Sequence, residues 1–440
     1  MRRLRLPIAA TAAVALLLGV IVGAIVYQQG KRDMDPGSLS VAPAGVVGGG
    51  ALGVAIVRAQ QRLREAPKDY RTWAELGAAY VQQGRITGDP SYYPKSEGAL
   101  KRSLALNHAD NWEALTGMGA LANARHDFTA ALAWGHKAQA VNAYSTSVYG
   151  VLNDALTQLG DYPAARAALQ KMLDLHPGIP AYTRASYDFE ERGLVDQAMA
   201  ALQRALGEAS DPADVAFCRY YLGELAFNGG NLDAAATQYR LGLQADPAYD
   251  PLLAGRAKAE AARGDTPAAV RDYATVTGRV PQPQYLLEYG ELLQSLGRTA
   301  EAAQQYRLLG IEQQLFKANG VIDDLTSALF EADHGSPAAA VQHGRAEWGR
   351  RHSVLVADAL GWALHRAGRD AEALSYAQQA NRLGWRNAVF RYHLAMIELG
   401  LGRRDAARRD LAQAVHFNPY FSPLQAPVAR KSLVSLGGTP

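Results

Sequence analysis

Two hydrophobic patterns divide the chain. Residues 7–27 form one uncharged apolar run (PIAATAAVALLLGVIVGAIVY). From residue 53 onward the apolar positions recur with helical spacing, and small residues return at intervals of roughly 33 to 38 residues. The first pattern predicts one N-terminal membrane helix. The second predicts an all-α array of repeated helix pairs, since no stretch shows the alternation typical of strands.

The apolar run is long enough to cross a bilayer, because about 20 residues at about 1.5 Å each span its hydrocarbon core. Three arginines precede the run within the first five residues, whereas Lys31 and Arg32 follow it beside Asp33. The positive-inside rule therefore predicts a cytoplasmic segment at 1–6, and a transmembrane signal anchor at 7–27 with the rest of the chain outside the cytoplasm. The predicted location is the cell membrane, crossed once.

A cleaved signal peptide is the alternative reading of this run, and it would give a secreted protein. Signal peptides have apolar regions of about 7 to 15 residues, closely followed by a small-x-small site. Here the first such site downstream is Ala42-Pro43-Ala44, far from the run and interrupted by proline. The uncleaved anchor is therefore favoured. Residues 28–52 are rich in Gly, Pro, Ala and Val, and they predict a flexible tether.

The repeated part carries a recognisable motif. Trp73, Leu76-Gly77 and Tyr80 in the first unit correspond to Leu222-Gly223 in a later one. A turn residue follows each such segment, and small residues and often a closing proline come after it. The proposed turn residues are Gly84, His126, Gly160, Gly193, Gly230, Gly264, Gly297, Gly335, Gly368 and Gly402.

This pattern resembles the tetratricopeptide repeat, a unit of two antiparallel helices, A and B. The resemblance covers most of the chain and implies a right-handed α-α superhelix of about ten units. They start near residues 70, 112, 146, 179, 216, 250, 283, 321, 354 and 388. Small residues let the two helices of a unit approach closely, and the turn residue ends helix A. One unit cannot bury its apolar face alone, so neighbouring units stack.

The predicted boundaries follow from this register. Residues 53–69 form a capping half-repeat, 70–419 the array, and 420–440 a C-terminal cap and tail with one short helix. Residues 86–92 (ITGDPSY) are extra in the first unit and predict a protruding loop. The seventh unit runs on past its usual end, and the eighth is the weakest match.

Composition and motifs narrow the classes of function open to the chain. The formal net charge is +3 from 45 basic and 42 acidic residues, so nothing indicates nucleic acid as a partner. Cys218 is the single cysteine, which excludes an intrachain disulfide and favours a buried apolar thiol. His334, His343 and His352 recur every nine residues, but without other ligands they predict surface or core histidines rather than a metal site. No nucleotide loop or nucleophile motif occurs, so we predict no cofactor and no enzyme.

In the family that the chain resembles, ligands lie in the concave face lined by the A helices. The positions implied by the register are aromatic and acidic in the middle of the array. The candidate partner-binding residues are Asp154, Tyr187, Glu190, Glu191, Phe217, Tyr220, Glu224, Phe227, Asn228, Glu291, Trp362 and Tyr392. The register also places Thr183, Lys258, Gln294, Asp358 and His365 in this groove. The aromatics could instead pack between helices, and single acids could be solvated.

Acids beside aromatics favour a basic or amide-rich protein or peptide segment. The predicted function is a membrane-tethered scaffold that binds such a partner. One alternative is an extracytoplasmic assembly chaperone, since the layout of one membrane helix and then repeats resembles cytochrome c assembly factors. An enzyme's accessory arm is a weaker alternative, because no segment of catalytic-domain size is left over.

Overall fold

The computed structural model describes residues 51–439. In this range the chain forms 22 α-helices and no β-strand, so the all-α prediction is confirmed. Ten A helices alternate with ten B helices, and one further helix stands at each end of the series.

The A helices are α2 (Tyr70–Thr87), α4 (Trp112–Ala124), α6 (Thr146–Leu159), α8 (Ile179–Glu191), α10 (Pro212–Asn228), α12 (Asp250–Arg263), α14 (Pro283–Ser295), α16 (Asp324–His334), α18 (Val354–Arg366) and α20 (Ala388–Gly400). The B helices are α3 (Tyr92–Leu106), α5 (Phe128–Val141), α7 (Tyr162–Leu175), α9 (Val195–Glu208), α11 (Leu232–Ala245), α13 (Thr266–Arg279), α15 (Thr299–Ala318), α17 (Pro337–Trp348), α19 (Asp370–Ala380) and α21 (Arg404–Phe417). The end helices are α1 (Ala51–Glu65) and α22 (Gln425–Ser435).

The turn between helices A and B has the same construction in most repeats. In the third repeat Gly160 is left-handed with φ 85°, and the next residue donates its N–H to the carbonyl of Leu156 at 2.9 Å. This bond closes the end of helix A. Asp161 then caps helix B, because its side chain accepts the N–H of Ala164. The second repeat builds the same turn with His126 at φ 61°, as the register predicted.

Close approach of the two helices requires small residues at the eighth position of the repeat. A Cβ on Gly223 would lie 2.3 Å from the ring of Tyr239, which is itself fully buried. The tyrosine of helix B therefore packs directly on the backbone of helix A. An alanine at Gly223 would force these two helices apart.

Several details differ from the sequence prediction. The extra residues in the first repeat do not form a protruding loop, because α2 continues to Thr87 and only a short turn through Gly88 leads into α3. The turn glycine there is Gly88 rather than Gly84, which is buried inside the helix. Gly335 has φ −130° and is not left-handed. The eighth repeat nevertheless forms both helices, and α15 extends to Ala318.

The described residues divide into two compact units. The smaller unit comprises residues 51–184 and 314–322, and the larger unit comprises residues 185–313 and 323–439. In the smaller unit the turn of the second repeat meets the segment after α15. There the Ile322 N–H donates to the Arg125 carbonyl at 3.0 Å, and Arg125 donates to the Asn319 carbonyl at 3.1 Å.

The larger unit has its own contacts between repeats that are distant in sequence. The turn of the fourth repeat lies against the segment before α20, where a Cβ on Gly193 would come within 2.4 Å of the Gly384 carbonyl oxygen. The turn of the fifth repeat lies against the end of α21, where a Cβ on Gly230 would be 3.2 Å from the Phe417 carbonyl. Each contact joins repeats about five units apart.

The predicted anchor at 7–27 and nearly all of the predicted tether at 28–52 lie outside the described residues. Between residues 51 and 439, no helix combines the length and apolar character needed to cross a membrane.

Candidate functional site

The position six residues before the turn residue lies on the same face of successive A helices. We call these side chains the A-helix row. In the repeats with a left-handed turn residue that matches the register, the row consists of Ala120, Asp154, Tyr187, Glu224, Lys258, Glu291, Trp362 and Met396. Three members are carboxylates, and each faces a side chain from the following A helix.

In the smaller unit Asp154 is fully paired. Arg184 from α8 donates Nε and Nη2 to the two carboxylate oxygens, both at 2.7 Å. Its remaining nitrogen, Nη1, donates to the Pro180 carbonyl at 3.0 Å, and the arginine side chain is completely buried. A bidentate pair of this kind neutralises both charges and fixes their geometry. Asp154 is therefore occupied within the chain.

In the larger unit Glu224 is also paired. Its two oxygens accept the Tyr239 hydroxyl at 2.7 Å and the Lys258 ammonium at 2.6 Å. The ammonium also lies 4.7 Å from the centre of the Phe227 ring. Burial disfavours the charged form of Lys258, but Glu224 and Glu288 outweigh it and raise the pKa of this lysine.

Glu190 has an amide partner rather than a cation. Asn228 donates to it at 3.1 Å, and the Trp385 indole is a second hydrogen-bond partner. Burial, with the Glu224 charge adding to it, raises the pKa of Glu190 to about 7. Tyr187 packs edge-on against Trp385 with ring centres 6.0 Å apart. This carboxyl is therefore partly protonated near neutral pH.

Glu291 is the exception among the row's three carboxylates. The facing side chain is His334 from α16, whose Nε2 lies 3.6 Å from Oε1 of Glu291. Neither atom has a hydrogen-bond partner within residues 51–439, although Glu291 is only 1% exposed. Burial, with Asp333 and Glu288 nearby, raises the pKa of Glu291 well above its usual range. Burial, together with the charge of Arg366, lowers the pKa of His334 to about 4.

Trp362 and Tyr392 are packed into the interior. Trp362 is 1% exposed, stacks on His393 with ring centres 4.0 Å apart, and donates its indole N–H to Asp333 at 2.9 Å. Tyr392 is fully buried at 5.8 Å from the Trp362 ring. These two candidates support neighbouring side chains rather than present an aromatic surface.

The remaining candidates lie in the fourth and fifth repeats. Phe217 and Tyr220 are half-buried, and both pack against Tyr221 with ring centres 5.0 and 5.1 Å away. Tyr220 also reaches Tyr249 at 6.4 Å, so packing between successive A helices accounts for part of its surface. Phe227 is buried beneath Lys258, Asn228 is half-buried, and Glu191 is buried.

Sequence reasoning missed several residues of this face. Arg184 was not a candidate, although it forms the bidentate ion pair with Asp154. Tyr239 was not recognised as the hydrogen-bond partner of Glu224, nor Glu288 as a second carboxyl near Lys258. Glu288 accepts the Tyr273 hydroxyl at 3.2 Å and Gln284 at 3.0 Å, and burial raises its pKa. The signal for Tyr239 was available, because it holds the consensus aromatic position of helix B.

The three evenly spaced histidines have separate surroundings. His334 faces Glu291, as described above. His343 contacts Asp324 at 2.6 Å, and His352 packs against the Trp348 ring with ring centres 4.4 Å apart. Cys218 is buried, and burial raises the pKa of its thiol to about 12.

A shallow cavity of about 520 Å³ lies elsewhere in the larger unit. It is bordered by the turn at Gly229 and Gly230, by the ion pair of Asp233 with Arg263, and by Tyr420. Because the charged groups of its wall already pair with one another, it offers less to a ligand than the A-helix row.

Comparison with known proteins supports the repeat assignment. Residues 183–250 and 255–311 match the family model described as tetratricopeptide repeat. No curated protein matches the chain.

Among solved structures, the anaphase-promoting complex hetero-tetramer Cut9–Hcn1 is similar at 15% identity and TM-score 0.48, over 88% of this chain and 76% of that one. Human IFIT1, solved as a dimer with m7Gppp-AAAA, is similar at 14% identity and TM-score 0.45, over 83% and 89%. A thermophilic repeat protein of Thermus thermophilus, TTC0263, is similar at 23% identity and TM-score 0.37, over 43% and 98%. The stretches of this chain from 183 to 250 and from 255 to 311 are thus of the tetratricopeptide repeat type.

Proposed function

We propose that this chain is a tetratricopeptide-type scaffold that binds a protein or peptide partner along the A-helix row of the larger unit. The observation that carries the proposal is the run of ionisable side chains at Glu224, Lys258, Glu288 and Glu291 on three successive A helices. Elsewhere the cores of the repeats are mainly apolar, and other buried ionisable groups, such as Glu347 with Arg351 and Asp358 with His393, lie there as single pairs. Polar groups kept in such a setting point to recognition rather than to stability.

The chemistry of the row favours a protein over a nucleic acid. Two carboxyl groups of the row, Glu224 and Glu291, and two beside it, Glu190 and Glu288, accompany one lysine, and a phosphate backbone would be repelled by any of them that ionise. Half-buried Phe217, Tyr220 and Asn228 border the same row and supply the aromatic and amide contacts common in protein interfaces.

The proposal is tested by site-specific photo-crosslinking. A benzoylphenylalanine replaces Tyr220 or Asn228 on helix A, or the exposed Arg240 on helix B of the same repeat as the matched control. We expect one partner band from the two helix A positions and none from Arg240. Equal labelling from both faces, or labelling from Arg240 alone, would refute a site on the A-helix row.

We further propose that residues 7–27 anchor the scaffold in the membrane, with the repeats outside the cytoplasm. The apolar run and the arginines before it support this topology. Protease added to cells with an intact cytoplasmic membrane should digest the repeats. Without protease, the whole chain should fractionate with the membrane. Repeats protected from protease, or released by alkaline carbonate, would contradict the proposal.

A further inference from the structure

The three carboxylates of the A-helix row differ in what faces them. At Asp154 the next A helix supplies the guanidinium of Arg184, and at Glu224 it supplies the ammonium of Lys258. At Glu291 the next A helix supplies His334 instead. The chain therefore provides its own cation at two equivalent positions and a neutral ring at the third.

The third position is incomplete by the standards of buried polar groups. Oε1 of Glu291 and Nε2 of His334 are both buried, and neither finds a hydrogen-bond partner in the described part of the chain. Their separation of 3.6 Å is too long for a hydrogen bond between them. A buried acceptor left unpaired costs about 1 to 3 kcal/mol, which a ligand that hydrogen-bonds to it would recover.

The surroundings select for a positive charge. Asp333 and Glu288 both act electrostatically on Glu291, so three carboxyl groups lie near the unpaired atoms. The Trp362 indole holds Asp333, and the Tyr306 ring packs on His334 at 4.3 Å. A cation entering here would meet carboxyl groups held by fixed neighbours, much as Lys258 meets Glu224 and Glu288.

We infer that Glu291 and His334 receive a lysine or arginine side chain of the bound partner, which supplies the cation that the chain itself supplies at Asp154 and Glu224. This inference rests on the proposed function, because it specifies what the partner inserts into the A-helix row. The carboxyl of Glu291 accepts from the incoming cation, and the Tyr306 ring forms one wall.

A peptide library tests this inference on the full-length chain in detergent. The fluorescent nine-residue probes carry Lys, Arg, norleucine, Gln or Glu at one central position in an otherwise constant Gly-Ser background. Titrations compare the wild type with Glu291→Gln, with His334→Lys, and with Glu301→Gln as a control. Glu301 is an exposed glutamate on α15 that pairs with Arg298.

We expect the wild type and Glu301→Gln to prefer Lys or Arg probes over norleucine by about tenfold or more, the usual worth of a charged hydrogen bond. Glu291→Gln should lose this preference because the amide no longer balances a cation. His334→Lys should lose it for a different reason, since its own ammonium fills the position. Melting curves of both variants check that they remain folded.

The outcomes separate this inference from the proposed function. Binding of all probes without a basic preference, or a preference that survives in Glu291→Gln, overturns the inference while a peptide site on the row stands. No binding of any probe also overturns the inference, and the photo-crosslinking result then decides the proposed function independently. Whichever of the Lys and Arg probes binds more tightly identifies the side chain that the site prefers.

Discussion

The paired carboxylate at Asp154 and the unpaired one at Glu291 occupy the same position in their repeats. Each is held by its own unit, and each faces the following A helix. Asp154 meets an arginine that uses three nitrogens and leaves no oxygen open. Glu291 meets a histidine too far away to bond. The residue that the facing helix supplies thus distinguishes a structural ion pair from a buried acceptor without a hydrogen-bond partner.

The largest effect is expected from removing Arg184, the cation that pairs with Asp154. Arg184→Met should destabilise the smaller unit by about 3 to 5 kcal/mol, because it leaves Asp154 partly buried without its partner. Urea unfolding followed by circular dichroism measures the loss. Lys101→Ala, which breaks an exposed pair with Glu97 in the same unit, should cost less than about 1 kcal/mol. Similar losses in both variants would mean that the buried pair contributes no more to stability than an exposed one.

The second test uses pH at a carboxyl whose partner is an amide. The pKa of Glu190 in the fold is about 7, against an ordinary value of 4.5, so its contribution to stability is complete below about pH 4.5 and declines as the pH rises to 7. The decline amounts to about 3 kcal/mol.

Glu190→Gln cannot ionise, so it should gain about 3 kcal/mol relative to the wild type between pH 4 and pH 8. Urea titrations at both pH values supply the four free energies. A difference that does not change with pH would show that Glu190 titrates normally.

The third test removes Lys258, the cation that pairs with Glu224. Lys258→Met should cost about 2 kcal/mol, less than Arg184→Met, because Tyr239 still donates to Glu224 and the lysine is partly exposed. The double variant with Glu224→Gln should recover most of this loss. Additive effects of the two changes would exclude a coupled pair.

The smallest effect is expected at Glu291 itself. Glu291→Gln should change stability by less than about 1 kcal/mol at low pH, because a carboxyl with a raised pKa is protonated there and glutamine has nearly the same shape. As the pH rises, the variant should gain stability relative to the wild type, because a raised pKa means that stability is lost as Glu291 ionises. Melting temperatures of both proteins across a pH series check the sign.

The sequence predicted the repeat architecture well because its signals are local. The turn at His126 was placed from spacing alone, and the left-handed backbone there agrees. The protruding loop at 86–92 was wrong, since residues up to Thr87 continue the helix and only the turn through Gly88 remains. Spacing counts extra residues but does not show whether they extend a helix or leave it.

The candidate site was less predictable because it depends on pairing between helices. Glu224 and Glu291 look alike in sequence, and their partners lie 34 and 43 residues later. Which residue faces a given acid depends on the length of the intervening helices. Likewise, the burial of Trp362 follows from its stacking on His393, which no periodicity reveals.

The backbone contact of Gly193 with Gly384 also limits how this array can change in length. Arrays that depend on neighbouring repeats alone gain or lose a unit with little consequence elsewhere. Here the fourth repeat touches the segment that follows the ninth, and the fifth touches the end of the tenth. Deleting or duplicating one repeat between them would displace both contacts together. The number of repeats in the larger unit is therefore fixed by its folding, and length variation is expected outside these two contacts.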